Sequence, residues 1–270
     1  TYTGLRNDDF RPFVYRTDDY GETWTSIAGN LPNKSINVIR EDPKNPNLLF
    51  VGADFGVYVT TNGGKTWNQM TGMPTQPVHD LLIHPRESDL IVGTHGRGFF
   101  IADISVLEEM SDQVLAQDAY VFDVKPKVKW TTRLPYETAS INFNGPSEPN
   151  GMVVNYYLKS PASGDVTLQV LQGARVIAEG KGANAAGLNR VMWNMRWTPM
   201  TLVQQPQQAG RGGAAGFAGG RGGQQAAAIA TFGGTTAAEP GEYTIVVKIG
   251  GKTFTKQARI LEDVWFDRVF

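Results

Sequence analysis

Two eight-residue segments decide the fold of this chain: Thr17-Asp18-Asp19-Tyr20-Gly21-Glu22-Thr23-Trp24 and Thr60-Thr61-Asn62-Gly63-Gly64-Lys65-Thr66-Trp67. Both fit the pattern Thr-x-(Asp/Asn)-x-Gly-x-Thr-Trp. The pattern recurs after about 43 residues, and a repeat of that length is typical of propellers and solenoids, in which each repeat is one supersecondary unit. The first part of the chain is therefore predicted to be repetitive.

The motif itself predicts a tight turn between two strands. An Asp or Asn side chain can bond the backbone two residues on, and Gly supplies a positive φ, so the chain reverses direction. The threonines can satisfy backbone groups of the turn, and the Trp ring can cover the hairpin. Because Asn62 cannot ionise, an acid–base role for the equivalent Asp19 is disfavoured. Ten residues are assigned a structural role: Thr17, Asp19, Gly21, Thr23, Trp24, Thr60, Asn62, Gly64, Thr66 and Trp67.

Around the second motif the sequence predicts one complete propeller blade. Strand candidates lie at residues 36–40, 48–53, 57–60 and 66–70, and turn residues separate them. Four antiparallel strands within about forty residues are typical of a propeller blade. The tight turn in this blade is Asp54-Phe55-Gly56.

The same order of landmarks returns one period later. Phe50-Val51-Gly52 matches Ile91-Val92-Gly93, and Asp42-Pro43 matches His84-Pro85. The repeat stops after residues 99–101, where no third turn motif follows. Residues 1–117 are therefore predicted to hold about two and a half four-stranded blades, with a short amphipathic helix at 105–117.

The rest of the chain has a different pattern. Residues 118–139 contain two prolines and scattered aromatic residues, and they predict an extended connector anchored by Trp130. From residue 140 to 270, longer alternating strands and two hairpin signals predict an immunoglobulin-like β-sandwich. A Gly-, Ala- and Gln-rich stretch at about 204–238 is predicted to be an insertion in that sandwich. The predicted fold class is all-β.

Composition excludes several classes of function. The 270 residues carry a net charge of −1 and no cysteine, so disulfides and thiolate metal sites are excluded and nothing indicates nucleic-acid binding. No apolar run is long enough to span a membrane. His79 and His84 are expected on opposite faces of a strand and His95 in a turn, so no zinc site is predicted. No cofactor is expected. Because the chain begins at Thr1 without a signal peptide, a processed or incomplete chain is expected.

The paired motif resembles the Asp-box of BNR-repeat propellers, which include sialidases, xyloglucan-degrading hydrolases and sortilin-type propellers. Residues 92–103 are similar to the end of the last blade in large secreted bacterial proteins of the sortilin-like group. Residues 187–196 and 240–244 are similar to strands of the immunoglobulin-like domain of the flagellar hook-capping protein. The resemblance implies the C-terminal part of an extracytoplasmic protein, either periplasmic or secreted to the cell surface.

The acidic residues near turns do not form a catalytic pair in the sequence. The hydrolases of the resembled group need paired carboxylates, and no spacing among these residues singles out a pair. They are Asp18, Asp19, Asp54 and Asp103. The prediction is therefore no enzyme but a non-catalytic binding or scaffold module, held as an accessory subunit by protein partners in a larger assembly.

Two alternatives to this scaffold prediction stay open. One is the C-terminal fragment of a secreted glycoside hydrolase or carbohydrate-binding propeller, in which Trp130 and Tyr136 are candidates for stacking on sugars. The other is a peptide-binding propeller similar to sortilin.

Overall fold

A computed structural model describes residues 1–73, 75–130, 150–198 and 229–264. The chain divides into two compact units, Thr1–Ala116 and Gln117–Phe270. Strands make up nearly all of the regular structure in both units. The predicted fold class, an all-β chain with a partial propeller and a sandwich, is confirmed. No helix among the described residues has the length and apolar character needed to cross a membrane.

The first unit contains three successive groups of strands, which we call the first, middle and third blades. The first blade holds β1 (Tyr2–Gly4), a 3-10 turn (Leu5–Asn7), β2 (Asp9–Phe13), β3 (Tyr15–Arg16) and β4 (Thr25–Ser26). The middle blade holds β5 (Ile36–Glu41), β6 (Leu49–Ala53), β7 (Gly56–Thr60) and β8 (Asn68–Gln69). The third blade holds β9 (Val78–His84), β10 (Asp89–Thr94) and β11 (Phe99–Asp103).

The middle blade is a four-stranded antiparallel meander in the order β5-β6-β7-β8. Its β6–β7 hairpin closes where Ala53 pairs with Gly56, and the left-handed φ of 119° at Gly56 allows the tight turn. Strand β8 is shorter than the predicted 66–70, because the backbone N–H of Thr66 donates to Asn62 and that of Trp67 donates to Asn30 instead of entering the ladder.

Side chains alternate along the middle blade, so its two faces belong to two cores. Leu49 and Val51 lie in a cluster with Val14 and Leu31 of the first blade and its following loop. On the opposite face, Phe50 lies in a cluster that includes Leu81, Ile83, Leu90 and Val92 of the third blade. The period-two pattern of a strand thus buries the blade between its two neighbours.

The meander also fixes which loops meet at each end of the middle blade. In an antiparallel sheet, successive turns alternate between the two ends. The β5–β6 loop and the Asn62 turn between β7 and β8 share one end, which we call the motif end. The β6–β7 turn, the segment before β5 and the segment after β8 share the opposite end.

The predicted single helix at 105–117 is two short helices, α1 (Ser105–Glu109) and α2 (Asp112–Ala116). Met110 is extended with ψ of 125°, and the Ser111 hydroxyl accepts from the N–H of Val114 to begin the second helix. Glu108 of α1 accepts hydrogen bonds from Lys44 Nζ at 3.0 Å and Ser88 Oγ at 2.9 Å. Helix α1 is therefore held to both the middle and the third blade.

The second unit is a two-sheet sandwich. Its strands are β12 (Ala119–Val121), β13 (Lys127–Lys129), β14 (Met152–Leu158), β15 (Val166–Gln172), β16 (Arg175–Gly182), β17 (Gly187–Trp193), β18 (Arg196–Trp197), β19 (Ala230–Phe232), β20 (Thr236–Ala237), β21 (Gly241–Ile249) and β22 (Lys252–Glu262). One sheet has the order β12-β14-β17-β19 and the other β13-β22-β21-β15-β16, with a small β18-β20 pair beside them. Both sheets contribute to one core, in which Trp193 and Tyr243 make an edge-to-face contact at 5.3 Å.

The sandwich differs from the sequence prediction at its edges. Residues 118–130 fall within the predicted connector, yet β12 and β13 are edge strands of the two sheets. Residues 229–238 fall within the predicted insertion, yet β19 and β20 pair with the sandwich. Strands β13 and β19 pair in parallel, whereas the hairpin signals predicted antiparallel neighbours. The immunoglobulin-like assignment stays a prediction.

Several predictions lie outside the described residues. These are the remainder of the connector with Tyr136, residues 140–149 of the predicted sandwich, and the insertion from 204 to 228.

Candidate functional site

The first Asp-box turn is held by one carboxylate. Asp19 Oδ1 accepts from the Thr17 hydroxyl at 2.8 Å and from the backbone N–H of Thr23 at 2.9 Å, while Oδ2 accepts from the Thr23 hydroxyl at 2.5 Å. The Thr17 oxygen in turn accepts from the N–H of Gly21 at 2.8 Å. Hydrogen bonds from the Thr23 hydroxyl and N–H, and then from the Thr17 hydroxyl, lower the pKa of Asp19 to about 2.

The second turn has the same bonds with an amide at its centre. Asn62 Oδ1 accepts from the Thr60 hydroxyl at 2.8 Å and from the N–H of Thr66 at 3.0 Å. Asn62 Nδ2 donates to the Thr66 hydroxyl at 2.8 Å, which reverses the donor relative to the first turn. The N–H of Gly64 donates to Thr60 at 3.1 Å. A negative charge is therefore not required for this geometry.

Both turns place two successive residues in the left-handed region. They are Tyr20 and Gly21 in the first copy, with φ of 56° and 98°, and Gly63 and Gly64 in the second, with φ of 68° and 90°. Glycine adopts this region without steric cost, which explains the Gly of the motif. The Thr, Asp or Asn and Gly residues of the motif thus lie in compact turns that are closed by their own hydrogen bonds. The structural assignment of all ten motif residues stays a prediction.

A groove lies at the opposite end of the blades from the Asn62 turn. Its volume is about 1000 Å³, and it lies within the first unit. The β6–β7 turn contributes Phe55, and the 3-10 turn and β2 contribute Leu5 and Phe10; all three are about half exposed. The lining residues are Leu5, Phe10, Arg11, Asn33, Lys34, Asp54, Phe55, Thr75, Gln76 and Pro77.

The charges at the groove are partly engaged. Lys34 Nζ lies 4.4 Å from the centre of the Phe55 ring, a cation–π distance. Arg11 is paired with Asp9 at 2.6 Å, and hydrogen bonds from Arg11 lower the pKa of Asp9. Among the lining residues, all of which are described, Asp54 is the one carboxylate.

Asp54 is positioned by hydrogen bonds that involve β5, the first strand of the middle blade. Its Oδ1 accepts from Asn37 Nδ2 at 3.3 Å, and the same amide donates to the carbonyl of Val78 at 3.1 Å. Its backbone N–H donates to the carbonyl of Ser35 at 3.3 Å. Hydrogen bonds to Asn37 of β5 and to Ser35 therefore hold the turn that presents this carboxylate to the groove, and the Asn37 amide is itself bonded to Val78 of β9.

The other acidic candidates do not join Asp54. Asp18 pairs with Arg16 at 2.6 Å on the exposed side of the first turn. Asp103 caps the backbone N–H of Ser105 at 2.9 Å. No cluster of these residues and Asp54 forms among the lining residues of the groove.

The histidines do not form a metal centre in the described part of the chain. The rings of His79 and His95 lie 5.4 Å apart, and His84 Nδ1 accepts from the N–H of Glu87. In the ranges that the structure describes, no three His, Cys, Asp or Glu side chains are grouped to hold an ion. The groove is not predicted from the sequence. The one local signal of it is Phe55, an aromatic residue at the tip of a tight turn.

A four-stranded antiparallel blade with an Asp-box between its outer two strands defines the class of Asp-box β-propeller proteins. A family model agrees with this assignment. The model of the Sortilin-Vps10 family, described as sortilin, neurotensin receptor 3, matches residues 13–151, just over half of the chain. The chain belongs to this family.

Two curated relatives match a shorter part. One is a probable oligoxyloglucan-reducing end-specific xyloglucanase of Neosartorya fischeri, 35% identical over 82 residues, which are 28% of this chain and 10% of the relative. The other is the oligoxyloglucan-reducing end-specific xyloglucanase of Emericella nidulans, 30% identical over 78 residues, which are 27% of this chain and 10% of the relative. The match therefore spans about a tenth of each relative.

A solved structure of an ancestral GH74 enzyme is 25% identical, with a TM-score of 0.30, and the match covers 33% of this chain and 11% of that chain. The two curated relatives correct one prediction. The chain was expected to be no enzyme, and that expectation is wrong, because both curated relatives are named as xyloglucanases. The sequence carries no local signal of this, because no two of the acidic residues near turns are spaced as a catalytic pair.

Proposed function

We propose that this chain is part of an enzyme that cleaves glycosidic bonds in a xyloglucan-type polysaccharide, and that its first unit binds the saccharide in the groove. The observation that carries the proposal is the groove itself, with the half-exposed rings of Phe10 and Phe55 at the end opposite the Asn62 turn. The names of both curated relatives support the substrate class.

The chemistry of the groove suits a sugar chain. Carbohydrate rings have apolar C–H faces that pack on aromatic rings, and hydroxyl groups that need directed hydrogen bonds. Phe10 and Phe55 offer the rings, while Asn33, Lys34 and Gln76 offer polar groups in the same lining. Both kinds of contact are therefore available to a saccharide.

Glycoside hydrolysis uses two carboxyl groups on either side of the scissile bond. Asp54 is the candidate for one of them, since it faces the groove and is held by Asn37. The second carboxyl group has to come from residues beyond the groove lining. An extracytoplasmic location is part of this proposal.

Binding is tested by calorimetric titration of xyloglucan oligosaccharides into the protein that contains this chain. Phe55→Ala is expected to weaken binding about tenfold, which corresponds to ~1.4 kcal/mol. Tyr20→Ala is the matched control, because Tyr20 is a fully exposed aromatic residue in an Asp-box turn, outside the groove lining. Absence of binding by the unaltered protein, or equal losses in both variants, would contradict the groove as a saccharide site.

Catalysis is tested separately with Asp54→Asn. This substitution keeps the size and shape of the side chain and an oxygen that can accept from Asn37. The release of reducing ends is expected to fall by a factor of about 10² or more, while oligosaccharide affinity stays within about twofold. Full activity in this variant would remove Asp54 from the reaction and leave the binding proposal standing.

A further inference from the structure

The second Asp-box turn contains a dipeptide that is chemically unstable in an unfolded chain. Asn62 is followed by Gly63, and the missing side chain of Gly63 leaves its backbone nitrogen unhindered. Once that nitrogen has released its proton, it can attack Cγ of the Asn62 amide. Two more Asn-Gly pairs occur in the sequence, at 144–145 and 150–151, so the pair at 62–63 is the one in the first unit.

The reaction at Asn62 needs no co-reactant except water. The Gly63 nitrogen forms a bond to Cγ of Asn62, the bond from Cγ to Nδ2 breaks, and Nδ2 leaves as ammonia with the proton that the Gly63 nitrogen has lost. The resulting succinimide ring takes up water at either of its two carbonyl groups and opens to aspartate or to isoaspartate. Solvent reaches the position, because Asn62 lines a polar depression of about 390 Å³ together with Asn47 and Lys65.

The folded turn holds both reacting groups away from this reaction. The N–H of Gly63 donates to the carbonyl of Asn47 at 2.9 Å. Asn62 Oδ1 accepts from the Thr60 hydroxyl and from the N–H of Thr66. Asn62 Nδ2 donates to the Thr66 hydroxyl at 2.8 Å. The attack requires the Gly63 nitrogen to lose its proton and Cγ to rotate towards it, and these two changes break the listed bonds of Gly63 and Asn62.

We infer that Asn62 is a site of spontaneous deamidation that is blocked in the folded turn and reacts only in molecules whose turn has opened. Local openings of this kind occur in folded proteins at free energies well below that of global unfolding. The rate in the protein is then the rate of an unfolded peptide multiplied by the fraction of molecules in which the turn is open.

The two products have opposite effects on the turn. Asp19 closes the first turn with the same threonine positions, and Tyr20 there has φ of 56°, close to the 68° of Gly63. Aspartate at position 62 therefore fits the closed turn, with the Thr66 hydroxyl as donor instead of acceptor. Isoaspartate adds one atom to the main chain and shortens the side chain by one carbon, so its carboxylate no longer reaches both threonines and the turn stays open.

The block is tested by comparing the protein that contains this chain with a synthetic peptide of residues 58–69. Both are kept in the same mildly alkaline buffer, and peptide mass spectrometry follows the replacement of the Asn62 amide by a carboxyl group. Deamidation in the protein is expected to be at least about tenfold slower than in the peptide. Equal rates in the peptide and in the folded protein would overturn the inference.

The role of the turn itself is tested with Thr66→Val, which removes the hydroxyl that accepts from Asn62 Nδ2. Deamidation in the folded variant is expected to be about threefold to tenfold faster, because the loss of one hydrogen bond raises the open fraction. Thr23→Val makes the same change in the first turn and is the matched control, with an unchanged rate at Asn62. No acceleration in Thr66→Val, or the same acceleration in both variants, would overturn gating by this turn.

The fate of the products is tested without waiting for the reaction. Asn62→Asp is expected to keep the hydrogen-exchange protection of residues 60–67, whereas the isoaspartate form, isolated from aged protein, is expected to lose it. Loss of protection in Asn62→Asp, or full protection in the isoaspartate form, would overturn the assignment of the two products.

Discussion

The two Asp-box turns share their hydrogen bonds but not the environment of their tryptophans. Trp67 is 3% exposed, and its indole N–H donates to the carbonyl of Ile27 in the first blade at 2.9 Å. Trp24 is 60% exposed, and its indole N–H donates back to Gly21 of its own turn at 3.1 Å. The polar centre of the motif is therefore self-sufficient, whereas the tryptophan depends on a neighbouring blade.

The segment that receives Trp67 is adapted to it. Asn30 Oδ1 accepts from the backbone N–H of Trp67 at 2.6 Å, and Asn30 Nδ2 donates to its carbonyl at 2.9 Å. At Gly29, with φ of 50°, a Cβ would lie 2.9 Å from the carbonyl oxygens of Gly64 and Lys65. The motif thus does two things: its Thr and Asp or Asn residues close a turn, and its Trp joins one blade to the preceding one.

The largest expected effect is on Trp67. Trp67→Ala removes a buried ring from the junction of two blades and is expected to lower the free energy of unfolding of the first unit by about 3–5 kcal/mol. Trp24→Ala removes an exposed ring and is expected to cost less than about 1 kcal/mol in the 270-residue chain. Hydrogen exchange of β6 and β7 peptides measures both. Equal losses of protection in the two variants would show that the difference in exposure between Trp24 and Trp67 does not affect stability.

The same two variants can also be made in a protein that contains this chain and further blades. If a complete blade precedes the first one there, Trp24 is covered as Trp67 is, and the two substitutions converge in cost.

The next largest effect concerns the two hydrogen bonds between the Asn30 side chain and the backbone of Trp67. Asn30→Ala leaves the backbone N–H and carbonyl of Trp67 without their partners and is expected to cost about 1–3 kcal/mol. Asn33→Ala, three residues on in the groove lining, serves as the control and is expected to cost less than about 0.5 kcal/mol. The difference in free energy of unfolding is measured from the urea concentration at the unfolding midpoint, with hydrogen exchange of the middle blade as the readout. An unchanged free energy of unfolding in Asn30→Ala would mean that water replaces the two hydrogen bonds of the Asn30 side chain.

The contrast between the turns also explains what the sequence could predict. The turn and the blade follow from local residues and a fixed period, so the strands β5 to β7 lie close to where the spacing placed them. The environment of Trp24 and Trp67 does not follow from the motif, because the same motif positions meet different neighbours. The groove is harder still, since it joins Phe10, Lys34, Phe55 and Gln76 from four separated segments, and no local pattern links them.

Other differences have the same origin. The predicted helix at 105–117 is interrupted at Met110, where the backbone is extended, and Glu108 of α1 is bonded to Lys44. The period of apolar residues reports neither feature. His84 is the histidine nearest to His79 in the first unit's sequence, but the β9–β10 ladder brings His79 next to His95 instead. Strand pairing decides such contacts, and pairing partners are remote in sequence.

The smallest expected effect separates the two turns by charge. The pKa of Asp19 is lowered to about 2, while an unfolded Asp has a pKa of about 3.9, so the folded state prefers the ionised form. A depressed folded pKa gives stabilisation that is fully present above about pH 4 and is lost as the pH falls through about 2. Between those values the first turn is expected to lose protection, and the Asn62 turn, which has no ionisable centre, is expected not to.

Asp19→Asn tests this directly, because it gives the first turn the amide that the second turn already has. The variant is expected to keep the turn at neutral pH, with the amide donating to Thr23 as Asn62 donates to Thr66. It is also expected to abolish the loss of hydrogen-exchange protection at low pH in residues 17–24, where protection is expressed relative to the exchange rate of an unfolded peptide at the same pH. An unchanged acid dependence would assign it to another carboxyl group, whereas loss of the turn at neutral pH would show that Asp19 and Asn62 are not interchangeable.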